Sequence, residues 1–220
     1  MTVDFSHIDV WLFDLDNTLY PFEAQFMSLI EARMTTFVAD RTGLARDEAF
    51  ALQKRYLREH GTTLAGLMAH HGVEPGEFLD MVHDVPIDGL HPDPALRAAL
   101  QRLPGRRLVF TNADLRHSDR VLERLNLADL FEAIFHIASA DYLPKPNPVT
   151  FDRIVREHHI DPKTCVFFED SEKNLAPAAA MGMTTVLVGA HAAVSTAPFV
   201  TYRTETLAPF LTAARVKENA

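Results

Sequence analysis

The chain is poor in cysteine and in long apolar stretches. Cys165 is the one cysteine among 220 residues. A single thiol excludes an intrachain disulfide and any zinc site built from several cysteines. No stretch approaches the roughly 18 consecutive apolar residues that a membrane-spanning helix needs. Two acids and no lysine or arginine precede the first apolar run, which is unlike a secretory signal. These absences predict a cytoplasmic protein that does not contact a membrane.

Positive charge is also scarce. The chain has 21 lysines and arginines against 30 acidic residues, so its formal net charge at pH 7 is -9. That balance argues against binding of a nucleic acid polymer across a broad basic face. A small anionic substrate is also repelled by the overall field, so a bound cation and a few basic groups would have to reverse the sign locally. The sequence leaves the oligomeric state open.

Composition and length are ordinary for a folded protein. Hydrophobic residues make up 47% and charged residues 23% of the chain, as in soluble globular proteins. A chain of 220 residues is long for one compact domain and short for two. This length predicts one core domain with a smaller inserted or appended unit.

Continuous apolar runs indicate the strands of a sheet buried on both faces, as in parallel sheets. Helical patterns separate the later runs, at about 118–125, 149–157 and 174–181. Alternating strands and helices predict an α/β protein with a Rossmann-like, doubly wound parallel sheet. The five predicted strands are 10–13, 108–110, 134–138, 165–168 and 185–188.

Residues 22–90 interrupt this alternation. Their apolar residues follow helical spacing, and glycine and proline punctuate the segment. The pattern predicts four or five short helices inserted after the first strand. We therefore predict a catalytic core formed by residues 1–20 and 91–220, with a helical cap at residues 21–90.

Polar side chains follow the predicted strands where each one ends. In open α/β sheets, ligands bind beyond these carboxyl ends. Each group alone is typical of a turn, a helix cap or a surface lysine, but their joint occurrence at one edge of the sheet favours a functional site. The residues concerned are Asp14, Asp16, Thr111, Asn112, Asp141, Lys145, Glu169 and Asp170.

Carboxylates brought this close together raise one another's pKa unless a cation neutralises them. Carboxylate oxygens, water and substrate phosphate are the usual ligands of magnesium. The sequence therefore predicts Mg²⁺ as the cofactor.

These motifs resemble those of the haloacid dehalogenase superfamily, and the resemblance covers nearly the whole chain. FDLDNTLY at residues 13–20 is similar to its first motif, and Thr111 in TNAD to its second. Lys145 in PKP is similar to the third motif, and FFEDSEKN at residues 167–174 to the fourth. Within the superfamily, these segments and YLREHGTTLAGL at residues 56–67 look like those of the pyrimidine 5'-nucleotidase group.

The resemblance implies a magnesium-dependent phosphatase with an aspartyl-phosphate intermediate. Asp14 would be the nucleophile, and Asp16 would protonate the leaving alkoxide and then activate water. Dehalogenases of the superfamily lack an aspartate at that second position. The resemblance also implies the ligands of the metal, which are Asp14, Asp170 and the backbone carbonyl of Asp16, with Glu169 contacting it through water. It implies that Thr111, Lys145 and the Asn112 amide bind the phosphoryl oxygens.

The expected substrate is a nucleoside 5'-monophosphate, with UMP or CMP favoured. Alternatives are another small phosphate ester (pyridoxal phosphate, FMN, nicotinamide mononucleotide or a sugar phosphate), a phosphomutase, or a non-catalytic nucleotide-binding protein. Some polar residues of the helical segment could read the part of the substrate that does not react, although each could instead be structural. These candidates are Tyr56, His60, Thr62, Thr63 and His70.

Overall fold

A central parallel sheet organises the protein. The computed structural model describes residues 3–217. Six strands form the sheet in the order β4-β3-β2-β5-β6-β7, and a separate pair is formed by β1 and β8. Every pairing of neighbouring strands in the central sheet is parallel. The strands are β1 (Asp4–Phe5), β2 (Val10–Phe13), β3 (Arg106–Phe110), β4 (Ala133–Phe135), β5 (Cys165–Glu169), β6 (Thr184–Val188), β7 (Tyr202–Thr204) and β8 (Arg215–Val216).

Among the described residues, four α-helices lie between β2 and Leu90, and five follow Leu90. Those in the first group are α1 (Phe26–Thr42), α2 (Arg46–His60), α3 (Thr63–His71) and α4 (Pro75–His83). Those in the second group are α5 (Pro94–Gln101), α6 (Leu115–Arg124), α7 (Pro148–Glu157), α8 (Glu172–Ala180) and α9 (Leu207–Ala213).

The apolar strands are buried on both faces because helices cover both sides of the sheet. Trp11 and Phe13 of β2 point into one cluster, which holds apolar residues of α5, α6 and α9. Val10 and Leu12 point into the other, which holds residues of α7 and α8. Alternate residues of a strand face opposite sides of a sheet. A run of four apolar residues therefore serves two cores, and the predicted Rossmann-like α/β fold is confirmed.

The segment between β2 and β3 is helical, and no strand is found there among the described residues. Helix α1 has 17 residues, so it is longer than the short helices that the spacing predicts. Gly66 of α3 packs directly on α2, where a Cβ would come within 2.2 Å of the Tyr56 ring. This glycine therefore sets how closely the two helices approach.

Two details of the predicted sheet are wrong. The predicted strand 134–138 ends at Phe135, and a 3₁₀ turn at Ile137–Ala140 follows. Apolar periodicity does not mark this end, because Ile137 is as buried as a strand residue. The edge strand β7 was missed because Tyr202, Arg203 and Thr204 are half-exposed and form no apolar run.

The helical segment is held to the core by arginines of α6. Arg120 donates to the carbonyl oxygens of His83 and Val85, at 2.9 and 3.1 Å. Arg124 donates to those of Leu90 and Asp88, at 2.8 and 3.0 Å. Helix α6 therefore fixes the chain where it returns from the helical segment to the sheet.

Two further findings concern the helices and the chain ends. No helix among residues 3–217 is long and apolar enough to cross a membrane. Residues 1–2 and 218–220, which belong to the predicted core domain, lie outside the described residues.

Candidate active site

The site is built where β2, β3 and β5 end side by side. The register pairs Phe13 of β2 with Val109 of β3 and with Phe168 of β5. The backbone N–H of Asp14 extends this ladder by donating to the carbonyl oxygen of Phe168 at 2.9 Å. Parallel pairing in this register brings the residues that follow each strand to the same edge of the sheet, as the sequence predicts.

Lys145 is the centre of this edge. Its Nζ donates to Asp14 Oδ1 at 2.8 Å, to Glu169 Oε2 at 2.7 Å and to the carbonyl oxygen of Phe110 at 2.7 Å. All three donors of the ammonium are thus used, and the side chain is 1% exposed. Burial lowers the pKa of Lys145, but the two carboxylates raise it above its usual value, so the lysine stays cationic.

Asn112 holds the backbone of this lysine. Its Oδ1 accepts from the Lys145 N–H at 2.8 Å, and its Nδ2 donates to the Lys145 carbonyl oxygen at 3.2 Å. The Asn112 side chain therefore positions the lysine loop, while the residue also lines the cavity described below, so its contact with substrate stays a prediction. Thr111 differs, because its Oγ1 accepts from the Ala113 N–H at 3.0 Å and keeps its own proton free to donate.

Asp14, Glu169 and Asp170 form an acidic cluster whose ligand atoms all lie within 4.8 Å of one another. Burial and the neighbouring acids raise the pKa of Asp14 to about 7 and that of Asp170 to about 6. Burial also raises the pKa of Glu169 to about 7, although Lys145 opposes the shift. One ammonium does not balance three carboxylates, so this edge of the sheet has a deficit of positive charge.

The cluster fits a hard divalent cation such as magnesium, which prefers oxygen ligands and keeps several waters. Asn174 is a second observation in favour of a bound cation. Its Oδ1 is buried without a hydrogen-bond partner among the described residues, and the residue lines the same cavity. A buried acceptor without a donor is costly, and a water on the cation would satisfy it. Glu169 suits an indirect contact, since Lys145 occupies its Oε2 and the Ser171 N–H occupies its Oε1 at 3.0 Å.

Asp16 is held by two residues that sequence reasoning missed. The Tyr20 hydroxyl and His117 Nε2 both bind Asp16 Oδ1, at 2.7 and 3.0 Å. Burial raises the pKa of Tyr20, so the hydroxyl keeps its proton and donates. Because both donors use Oδ1, the other oxygen is left for chemistry. The spacing of Tyr20 four residues after Asp16, and of His117 in the first turn after the TNAD motif, could have suggested this.

The predicted reaction needs an ionised Asp14 and a protonated Asp16, so the pKa of Asp16 should be the higher of the two. The structure has the opposite order. Burial raises the pKa of Asp16, but His117 and Tyr20 outweigh this and bring it below its usual value. The pKa of Asp14 is raised instead. A cation beside Asp14 would stabilise its anion, and a substrate phosphate beside Asp16 would favour protonation, so both effects of loading the site are in the direction that the reaction requires.

His83 of α4 links the helical segment to this arrangement. Its ring stacks on His117 with the centroids 4.2 Å apart, and its Nδ1 contacts Asp114 Oδ2. Asp114 also caps α6, since its Oδ1 accepts from the His117 N–H at 2.7 Å. His117, which binds Asp16, is therefore held in place by His83 of α4 and by the Asp114 cap of its own helix.

A cavity of about 480 Å³ opens above these residues, between the sheet edge and the helical segment. The predicted residues Asp14, Asp16, Thr111, Asn112, Lys145, Glu169 and Asp170 all line it, together with Thr62 and Thr63. The wall supplied by the helices is mainly apolar, and its members include Met27, Ile30, Met34, Leu57, Phe78 and Leu79.

The predicted contacts of Tyr56, His60 and His70 with a substrate do not match their positions, because none of the three lines this cavity. Tyr56 is buried against Gly66, and its hydroxyl bonds His71 Nε2 at 2.8 Å. His60 and His70 face each other, with 3.1 Å between their Nε2 atoms. Asp141 also lies away from the site, since it is exposed and pairs with Arg153.

The two threonines of the helical segment do lie at the cavity. Thr62 is the N-cap of α3, because its Oγ1 accepts from the Ala65 N–H at 3.1 Å. Gly61 beside it approaches the lysine loop, where a Cβ would lie 3.1 Å from Pro144 Cγ. The start of α3 therefore sits directly over the loop that carries Lys145.

Comparison with known proteins is consistent with this geometry. A family model described as haloacid dehalogenase-like hydrolase matches residues 8–182, which include the whole acidic cluster and Lys145. Phosphate metabolism protein 8 of Saccharomyces cerevisiae is 29% identical over 196 residues, which cover 81% of this chain. The match spans 60% of the length of that yeast protein.

Two solved structures share the fold. A HAD phosphatase from Thermococcus onnurineus has a TM-score of 0.63 and 19% identity, and the match covers 95% of this chain and 100% of that one. The L-2-haloacid dehalogenase from Xanthobacter autotrophicus has a TM-score of 0.54 and 18% identity, and the match covers 96% and 90%. Similarity at this level of identity concerns the fold alone.

Proposed function

Because the chain belongs to the haloacid dehalogenase-like hydrolase family, we propose that it is a magnesium-dependent phosphatase acting on nucleoside 5'-monophosphates, with a pyrimidine base preferred. The observation that carries this proposal is the buried contact of Lys145 with Asp14 and Glu169 on the floor of the cavity. The cavity is within the usual range for small-molecule sites. The name of the yeast relative, a phosphate metabolism protein, is in keeping with this chemistry.

The bound magnesium would supply the positive charge that the acids and a substrate phosphate require. Asp14, Asp170 and the backbone carbonyl of Asp16 would hold it, with Glu169 and Asn174 contacting its waters. Lys145 and the free Thr111 hydroxyl proton face the same space. Thr111 provides a hydrogen-bond donor for a phosphoryl oxygen. Lys145, whose three N–H donors are already used, provides positive charge beside the phosphoryl group, on which charge is spread during transfer.

The reaction proceeds in two displacements at phosphorus. A carboxylate oxygen of Asp14 forms a bond to phosphorus while the bond to the ester oxygen breaks, and Asp16 gives its proton to the leaving alkoxide. Water then attacks the aspartyl-phosphate, and Asp16 takes a proton from that water as the Asp14–phosphorus bond breaks. The hydrogen bonds from Tyr20 and His117 hold Asp16 in position for both proton transfers.

The fold alone does not decide between phosphatase and dehalogenase, since it is shared with solved examples of both. Asp16 favours the phosphatase. Displacement of halide from carbon needs no acid, because halide leaves without a proton. Here Asp16 lines the cavity and is held by two hydrogen-bond donors, an arrangement that suits a group which transfers protons.

The lining of the cavity supports a role for the helical segment as a cap. Helices α1 to α4 supply the apolar wall opposite the acids. A wall of this kind excludes water from the phosphoryl group and contacts the part of the substrate that does not react. We include residues 21–90 in the proposal as this cap.

Phosphate release from a panel of esters tests the proposal. The panel contains UMP, CMP, dTMP, AMP, GMP, nicotinamide mononucleotide, FMN, pyridoxal phosphate and glucose 6-phosphate, each with magnesium and with EDTA. We expect magnesium-dependent release that is greatest for the pyrimidine nucleotides. Preference for another ester would refute the substrate assignment alone. Phosphate release that persists in EDTA would refute the magnesium requirement. No phosphate release from any ester would refute the assignment as a phosphatase.

A further inference from the structure

We propose that Phe22 is a specificity-determining residue whose ring stacks on a planar heterocycle at the end of the substrate remote from the phosphate. The inference rests on the proposed function, because it assumes that the cavity holds a phosphate ester. It adds the residue that contacts the base and the kind of contact. Stacking selects flat aromatic rings over sugars and other polyols.

Phe22 places an exposed aromatic side chain at the cavity. The residue lines the cavity and is 71% exposed, the largest fraction among the described phenylalanine, tyrosine and tryptophan residues. The nearest aromatic residue along the chain, Tyr20, is buried and packs edge-on against Phe26, with 5.8 Å between the ring centroids. Contact between an apolar ring and water is unfavourable, and an apolar surface of a bound molecule would relieve it.

The backbone that carries Phe22 is held by hydrogen bonds. Residues Phe22–Ala24 form a 3₁₀ turn. The Ala24 N–H donates to the carbonyl oxygen of Pro21, and the Gln25 N–H donates to that of Phe22, both at 3.0 Å. Gly89, where the chain returns from the helical segment, lies beside this turn, since a Cβ there would be 3.8 Å from the Ala24 carbonyl oxygen. Phe22 therefore stands on an ordered turn at the junction of the core and the helical segment.

The chemistry of the cavity decides which part of the substrate meets Phe22. The proposed function places the phosphate beside Asp14 and Lys145, and a phenylalanine ring offers no hydrogen bond to phosphoryl oxygens. Met27 and Ile30, which follow Phe22 on α1, line the same cavity and are also apolar. A polyol against such residues would lose water from its hydroxyl groups without replacement. A heterocycle would bury its faces against them, so a base is the part of the substrate that Phe22 suits.

Esters with and without a base test the contact. The substrates are UMP and ribose 5-phosphate, which has a phosphorylated ribose but no base. Stacking of a base on an aromatic side chain corresponds to about 5- to 100-fold in affinity. Phe22→Ala should therefore lower kcat/KM for UMP by about that factor, and for ribose 5-phosphate by less than about threefold. All variants are checked for wild-type circular dichroism.

Two further substitutions of Phe22 and one matched control separate stacking from other effects. Phe22→Trp retains an aromatic face and should keep the wild-type preference for UMP over ribose 5-phosphate. Phe22→Leu is apolar but not flat, so it should lose most of that preference. Phe50 of α2 is 41% exposed but does not line the cavity, so Phe50→Ala should leave kcat/KM for both esters within about twofold.

A fluorescence measurement reports the contact without turnover. Asp14→Asn combined with Phe22→Trp should bind UMP without hydrolysing it and carries an indole at the cavity. Stacking of uracil on this indole should quench its fluorescence when UMP is added with magnesium, whereas ribose 5-phosphate should not. Asp14→Asn alone supplies the background signal of Trp11, the one tryptophan of the natural sequence.

Three outcomes would overturn the inference while leaving the phosphatase intact. The first is wild-type kcat/KM for UMP in Phe22→Ala. The second is an equal loss on UMP and ribose 5-phosphate, which would make Phe22 a structural residue. The third is the absence of quenching by UMP at concentrations that saturate the wild-type enzyme. Failure of the wild type to hydrolyse either ester would instead refute the proposed function.

Discussion

In the absence of magnesium, the free energy of unfolding of this protein should fall as the pH rises from about 5 to about 7. Burial and neighbouring acids raise the pKa of Asp14 from 3.8 to about 7, and burial raises that of Glu169 from 4.5 to about 7. The folded protein therefore keeps protons that the unfolded chain releases above about pH 4. Where the folded state binds more protons, the free energy of unfolding decreases with rising pH. The decrease should level off about one pH unit above 7, where the folded state has also lost these protons.

The expected loss is large enough to measure. A rise in the pKa of Asp14 from 3.8 to about 7 corresponds to about 4 kcal/mol. The contributions of the three acids do not add, because they share Lys145 and act on one another. We therefore expect a total change of the same order, several kcal/mol, against a typical stability of about 5–15 kcal/mol.

Urea unfolding in EDTA at several pH values between about 5 and 8 supplies the assay. Trp11, the one tryptophan of the chain, is fully buried and reports unfolding by fluorescence. Asp14→Asn is the matched variant, because it removes one acid with a raised pKa and should flatten the curve. Saturating magnesium should stabilise the wild type more at pH 8 than at pH 5, since it binds the ionised acids.

Two results would contradict the predicted pH dependence of stability. Metal-free stability that is flat or rises between about pH 5 and 7 would show that the acids are not destabilised by burial. An unchanged slope in Asp14→Asn would show that the pH dependence arises elsewhere in the protein.

Three further predictions follow from the site. Lys145→Met should lower kcat/KM for UMP by about 10³-fold, because it removes a preorganised cation; steady-state kinetics that retain a tenth of wild-type activity would contradict its role. Tyr20→Phe and His117→Ala each remove a hydrogen-bond donor to Asp16, so kcat/KM for UMP should fall about 10- to 100-fold. For 2,4-dinitrophenyl phosphate, whose leaving group needs no proton, the fall should be less than about threefold. Equal losses on the two esters would indicate general damage. Tyr56→Phe should leave kcat/KM for UMP within about twofold, since Tyr56 lies outside the cavity; a selective loss on UMP would restore it as a substrate contact.

The sheet and the acidic edge could be predicted from sequence because both depend on local patterns. Four apolar residues followed by Asp14 describe a buried strand and its polar end without reference to the rest of the chain. Parallel pairing then brings Glu169 and Lys145 to the same edge. Strand β7 lacks an apolar run, so no sequence pattern predicts it.

The partners within the site could not be predicted in the same way. His117 and Asp16 are 101 residues apart, and their contact depends on how α6 packs on the sheet. On α2, helical spacing marks Tyr56 as buried, but it does not tell whether Tyr56 faces the cavity or a neighbouring helix. The rotation of α2 against Gly66 decides this, and it turns Tyr56 into the helix interface. Polar residues of the helical segment were therefore the least reliable part of the prediction.

Turnover by Asp14→Asn tests whether Asp14 is the nucleophile. Phosphate release from UMP and from p-nitrophenyl phosphate is measured at saturating magnesium for the wild type and the variant, with circular dichroism to confirm the fold. We predict magnesium-dependent turnover by the wild type and no measurable turnover of either ester by the variant, because the variant loses the carboxylate at the end of β2, and both oxygens of Glu169, the other carboxylate beside Lys145, already accept hydrogen bonds. Hydrolysis by Asp14→Asn at the wild-type rate would show that Asp14 is not the nucleophile.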